Sequence, residues 1–262
     1  GVSGAIVLNI HTIMVNQMLG LSETGVYRIA FFFGTIILIP ARSIYRITSS
    51  IVAEAFKKDN IEEIRSLYVK SCNTQLTIGL LLFIGIWINL DNIMNILPAE
   101  YASGKLVILY ISAGYLIEMA TGINQVIIGN SKFYRFDAFF VLTLVVVIII
   151  CNYLLIPTYG ITGSAIATAI TGVVGNLLRF TLLYVKYRMQ PYNENSLKLV
   201  FIGTLAFLTG YFIPYLNNLY LDIVVRSGIT SLLFFILLLK MEAAPELNQK
   251  IRKNLMHLQK NK

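Results

Sequence analysis

Eight stretches of predominantly apolar residues recur along the chain, at about 3–20, 25–50, 72–90, 104–128, 136–156, 160–186, 197–216 and 220–240. A helix needs about 20 such residues to cross a bilayer. The expected fold is therefore all-α, a polytopic membrane helical bundle of about eight transmembrane helices. Composition agrees: 56% of residues are hydrophobic and 13% charged, against about 25% charged in a typical soluble domain, and the mean hydropathy is +0.72. A soluble fold is excluded on this balance. Cys72 and Cys151 lie in or beside apolar segments without metal or redox spacing, which reads as packing. The two histidines, His11 and His257, are on distant segments, and no nucleophile, zinc or nucleotide motif is present. The sequence thus points away from an enzyme and calls for no cofactor and no metal. The chain opens at Gly1 directly in an apolar stretch, without the charged region and cleavage site of a signal peptide. This reads as part of a longer protein.

Charge sets the expected orientation. Sixteen of the 21 basic residues fall in or beside the connections after segments two, four and six and in the C-terminal tail, whereas the opposite side carries Lys105 alone. Basic residues concentrate in cytoplasmic loops, so both ends are expected to be cytoplasmic, with Glu23, Glu100 and Asn218 outside. The net charge of +8 then reports topology and contact with anionic lipid head groups; nucleic acid is not an expected partner. Two cytoplasmic stretches have an apolar face, residues 60–70 through Ile61, Ile64, Leu67 and Tyr68, and the tail from Pro245 through Leu247, Ile251, Leu255 and Leu258. Both are expected to lie in the interface plane, a frayed terminus being the alternative for the tail.

The stretch "YGITGSAIATAITGVVG" is composed largely of residues too small to fill a core. At helical spacing it holds two faces, Gly160, Ser164, Thr168, Gly172 and Gly163, Ala167, Thr171, Gly175. Glycine lowers helix stability in water by about 1 kcal/mol against alanine. In lipid, small residues let helix backbones approach and supply the packing.

Four stretches resemble the C-terminal part of a polysaccharide flippase of the multidrug/oligosaccharidyl-lipid/polysaccharide exporter superfamily. "GVYRIAFFFGTIILIPARSIYRITSSIVAEAFKKDNIEEIRSLY" is similar to the eighth helix and its connector, and "ILPAEYASGKLVILYISAGYLIE" resembles the start of the tenth. "NQVIIGNSKFYRFDAFFVLTLVVVIIICNYLLIPTYGITGSAIAT" resembles the tenth-to-twelfth connection, and the last two segments with the basic tail resemble the extra helix pair of these transporters. The resemblance implies helices seven to fourteen: a transport lobe over residues 1–190, the pair over 191–243 and a basic tail over 244–262, with the first lobe missing. It implies export of a polyprenyl-diphosphate-linked oligosaccharide across the bacterial plasma membrane by alternating access. A cation-coupled multidrug antiporter of the same superfamily and a non-transporting assembly subunit are the alternatives.

Ionisable residues in spanning segments are costly and mark function by default. Arg28, Arg42 and Arg46 lie in the second segment, the last two one turn apart just after Pro40. They are candidates for binding a substrate diphosphate, because guanidinium is permanently charged and pairs with phosphate bidentately; Arg28 and Arg46 alternatively snorkel to the head groups. Asn9, Thr12 and Asn16 form a polar stripe on the first segment, either lining a cavity or bonding neighbouring helices. His11 is a possible ion-coupling residue or a packing residue. Glu118, with Thr121 and Gln125 on its face, either couples transport to a proton or sodium gradient or pairs with an arginine of the second segment. Asp222 and Arg226 read as a local ion pair near the outer interface.

Overall fold

The long apolar run after Leu21 stays helical for 37 residues, through Lys57. In the computed structural model, which describes residues 2–244 with side chains from Asn9 onward, it is built as α2 (Leu21–Thr35), a 3-10 turn (Ile36–Leu38) and α3 (Ile39–Lys57), after α1 (Val2–Leu19). The expected amphipathic tail from Pro245 lies outside the described residues. Pro40 stands in the first turn of α3, where its missing N–H is tolerated; the tighter turn before it absorbs the lost bond. At about 1.5 Å per residue the whole run is longer than a hydrocarbon core of about 30 Å, so it extends beyond the bilayer.

Next come α4 (Ile61–Ile88), α5 (Leu90–Ile96), a 3-10 turn (Ala99–Gly104), α6 (Lys105–Ala120), α7 (Asn124–Asn130), α8 (Tyr134–Tyr187), α9 (Glu194–Phe212) and α10 (Leu219–Lys240). Six helical runs among the described residues are long and apolar enough to cross a membrane, one of them the 54-residue α8. That helix is two passes. Gly160, at φ 57 and ψ −139, breaks it, and the contacts across the break pair Gly163 with Leu155, Gly175 with Leu144 and Arg179 with Asp137. These pairings are the register of an antiparallel hairpin closed at Gly160. With α1 the passes number eight among the described residues.

The two small-residue faces serve different neighbours. A Cβ on Gly163 would collide with the Leu155 carbonyl and one on Gly175 would lie 2.8 Å from Leu144, so this face seats the second arm of α8 on the first. Ser164 and Thr168 instead face Tyr27 of α2, and Ala165 joins the core of Val15, Tyr27, Ala30, Ile108 and Ile111.

The expected fourth span is interrupted. Between α6 and α7 the chain turns at Gly122, with φ +64. Backbone groups freed by such a break must find partners within the protein. The Cys72 thiol donates to the Ala120 carbonyl at 2.9 Å and the Thr121 hydroxyl to the Glu118 carbonyl at 2.7 Å, while the buried Asn176 side-chain oxygen ties the side chains of Thr121 at 2.7 Å and Asn124 at 3.0 Å.

Residues 60–70 do not lie in the interface plane. They are the first turns of α4, which runs without a Gly or Pro until Gly79 and starts at Asn60, whose side chain accepts from the Glu63 N–H. The apolar face finds protein instead of lipid: Ile64 and Tyr68 are fully buried with Val52, Ile127, Leu183 and Met189.

The last two helices pack on α4 through Leu76, Ile84, Ile88, Leu199, Ile202 and Phe234. Polar pins reinforce the contact at both ends. Asn73 accepts from the Ser196 hydroxyl at 2.7 Å near the start of α9, and Asn89 donates to Ser227 at 2.9 Å.

Candidate functional site

One face of α2 and α3 is fully packed and the other is open. Tyr27, Ala30, Ile37 and Ala41 are buried, while Gly25, Arg28, Phe32, Ile39, Arg42, Ser43 and Arg46 are exposed along a single stripe. Steps of fourteen and four residues return a helix to nearly the same side, which is why all three arginines share the stripe. Arg28 and Arg42 stand about 21 Å apart along the helix at about 1.5 Å per residue. The stripe's polar backbone neighbours are already satisfied: the Thr35 hydroxyl donates to the Phe32 carbonyl at 2.8 Å and Thr48 to Ile44 at 2.7 Å.

Arg42 is not isolated. It and Arg179 of α8 both act electrostatically on Glu118, in the last turn of α6, with the Tyr45 phenol beside the carboxylate. Tyr115, one turn before Glu118, feels the charges of both Glu118 and Arg42. Arg179 Nε in turn donates to Asp137 Oδ1 at 2.9 Å, the bridge that ties the two arms of α8 together. Glu118 of α6 thus lies within electrostatic reach of Arg42 and Arg179, and Arg179 is bridged to Asp137, beside the interruption of the fourth span. A cavity of about 20 Å³ lined by Tyr115, Glu118, Thr168 and Gly172 adjoins the carboxylate, room for about one water. Sequence reasoning counted Arg179 among the cytoplasmic charges and missed Asp137 and Tyr45. The signal was partly available, since Asp137 and Arg179 are opposite charges on either side of Gly160.

The other sequence candidates are placed as follows. Asn9 and Asn16 are exposed on α1 and Thr12 is half-buried. His11 is buried among aromatics, stacked on Phe31 at 4.6 Å and edge-on to Tyr27 at 5.7 Å. Thr121 is engaged with Asn176 and Gln125 is exposed.

Asp222 and Arg226 form the local ion pair, but inside the protein: both side chains are only 1% exposed, with Nε to Oδ2 at 3.1 Å. Asp222 also accepts from Asn92 at 2.6 Å and from the Leu216 N–H at 2.9 Å, and Arg226 donates to the Gly210 carbonyl at 2.8 Å beneath the Tyr215 ring, 4.3 Å from its centroid. The Tyr215 hydroxyl donates to Asp91 at 3.1 Å, and Asp91 pairs with Lys105. Lys105, and secondarily Tyr215, hold the Asp91 carboxyl below the usual carboxylate range against partial burial, which pushes it upward.

Eight apolar passes, a helical hairpin with a one-residue turn and an interrupted pass beside a charge cluster define a multi-pass, all-helical membrane fold. One solved structure shares that fold. The solved structure of the lipid II flippase MurJ in an inward closed conformation matches with a TM-score of 0.64 and 15% sequence identity, over 86% of this chain and 51% of that one. The chain therefore spans about half the length of this neighbour, and the likeness is one of fold. No family model and no curated protein sequence matches.

Proposed function

We propose that this chain is the second lobe and terminal helix pair of a flippase that moves a polyprenyl-diphosphate-linked oligosaccharide across the bacterial plasma membrane. The observation that carries the reading is the open arginine stripe of α2 and α3. Permanent charge inside a spanning helix is costly in lipid, and a stripe of three guanidiniums facing away from the chain's own core calls for an aqueous path or an anionic substrate opposite it. A diphosphate supplies the matching charge and geometry for bidentate pairing. The fold shared with a lipid II flippase supports a lipid as cargo.

In this reading Arg42 binds the diphosphate, and Arg46 and Arg28 extend the cationic wall toward the two membrane faces. Asn9 and Asn16 line the same path from α1. Glu118 positions Arg42 and Arg179 rather than carrying a coupling ion, and His11 packs α1 on α2. The opposite wall comes from a first lobe of the same protein, and rocking of the two lobes gives alternating access. The anionic head groups of the inner leaflet contact the basic cytoplasmic side.

Transport by the intact protein in proteoliposomes tests the cargo. Labelled polyprenyl-diphosphate sugar is expected to flip, and the same lipid with a neutral linkage to be left behind. Equal flipping of both would remove the diphosphate from the account. Movement of cationic drugs in place of the lipid would favour a multidrug antiporter, and movement of none an assembly subunit.

A further inference from the structure

A second cationic cleft lies elsewhere on the chain and shares no residue with the arginine stripe. It is formed where the start of α4, the end of α8 and the linker to α9 meet, has a volume of about 520 Å³, and is lined by Arg65, Val69, Tyr184, Arg188, Gln190 and Tyr192. That volume falls in the usual range for small-molecule sites.

Two features of its arginines are unexplained by packing. Arg65 donates from Nη1 to Glu62 Oε1 at 2.6 Å and from Nη2 to the Tyr187 carbonyl at 3.5 Å, yet its Nε–H is buried with no partner. A buried donor left open requires a reason. Arg188 caps α8 in the left-handed conformation, φ 54 and ψ 36, its own N–H bonded to the Tyr184 carbonyl at 3.0 Å and that of Met189 to Leu183 at 3.4 Å. Helices closed this way usually carry Gly or Asn at the left-handed position. Here an arginine accepts the strain, and its guanidinium lies over the Tyr184 ring, 5.9 Å from the centroid. No ion pair joins Arg188 to an acidic side chain among the described residues.

We propose that this cleft is a binding site for a phosphate-bearing anion, held between the guanidiniums of Arg65 and Arg188 with the tyrosine hydroxyls and Gln190 as further donors. Two arginines lining one opening suit the tetrahedral oxygens of a phosphate. The cleft lies beside the connections richest in basic residues, where basic pockets between helices take anionic lipid head groups. A phosphodiester head group and a free phosphate present the same oxygens, and the experiment separates them.

Purified full chain in detergent is titrated with short-chain phosphatidylglycerol, short-chain phosphatidylcholine or inorganic phosphate while thermal unfolding is followed. The parent is expected to gain stability from phosphatidylglycerol and not from phosphatidylcholine. Arg188→Gly relieves the backbone strain, so it is expected to unfold no earlier than the parent without additive, yet to need about tenfold more phosphatidylglycerol for the same shift, the factor expected for losing one charge-assisted bond. Arg188→Asn, also tolerated in the left-handed region, is the second variant and is expected to behave alike. If inorganic phosphate gives the same dependence on Arg188 and the lipid does not, the ligand is soluble. A parent that responds to neither anion, or variants that respond as the parent does, would overturn the site.

Discussion

At Gly160 the backbone takes a left-handed φ that a side chain resists, and this single residue converts 54 helical residues into two membrane passes. The small residues that follow then do two separate jobs, which gives a test at single positions. Ala167 belongs to the face seated on the first arm of α8, and Ser164 to the face against Tyr27; both are fully buried. Overpacking a tight interface costs about 1–3 kcal/mol. Ser164→Leu and Ala167→Leu are each expected to lower the thermal unfolding temperature of the detergent-solubilised protein. A leucine accepted at both positions without loss would show that neither face is closely packed. The same short sequence showed the small faces but not their partners, because a four-residue spacing fixes which residues share a side and says nothing of what lies opposite.

Among the elements, α9 and α10 are joined to α4 by apolar contact and to α4 and α5 by polar pins at both ends. The outer pin is the Asp222–Arg226 pair, whose ligation by Asn92, Leu216, Gly210 and Tyr215 was invisible in a one-turn spacing of opposite charges. Removing one member of a buried pair leaves an uncompensated charge and costs about 3–5 kcal/mol, whereas replacing both by apolar residues is often neutral. Arg226→Met is therefore expected to destabilise strongly and Asp222→Leu with Arg226→Met to recover most of the loss, measured by thermal unfolding. A single variant as stable as the parent would make the pair a bystander. Existence and order of the spans were legible because each apolar run is long and the connections are charged. The first turns of α4 were not: an amphipathic face reads alike whether it meets lipid or protein, and only the fold supplies Val52, Ile127 and Leu183 as its neighbours. The interruption after α6 was likewise hidden, since Thr121, Gly122 and Asn176 acquire meaning only together. The arginine stripe was half legible. Spacing put Arg42 and Arg46 on one side, but the place of Arg28 on the same stripe needed the path of α2 and α3, and Arg179 and Asp137 come from an element far away in sequence.

For the whole molecule, we propose from the charge distribution one orientation, with the connections after α3, α7 and α8 on the cytoplasmic side. Cysteines introduced at Glu23, Glu100 and Asn218 are expected to react with an impermeant thiol reagent added to intact cells, above the background of the parent with Cys72 and Cys151; protection of all three would invert or redraw the topology. In that orientation the open stripe of α2 and α3 runs from the outer third of the bilayer to the inner interface, with Arg42 deep enough to need a partner and Arg46 about 6 Å nearer the cytoplasm at about 1.5 Å per residue. The central claim is that this stripe meets the charge of a lipid-linked diphosphate. Flipping of a labelled polyprenyl-diphosphate sugar by the intact protein, reconstituted at equal density as parent, Arg42→Lys and Arg42→Gln, tests it most directly. Lysine keeps the charge and loses the bidentate fork, and glutamine loses the charge. The account predicts a reduced rate for the lysine variant and a loss of about tenfold or more for the glutamine variant, the scale of a charge-assisted bond; a glutamine variant that flips at the parental rate would contradict it.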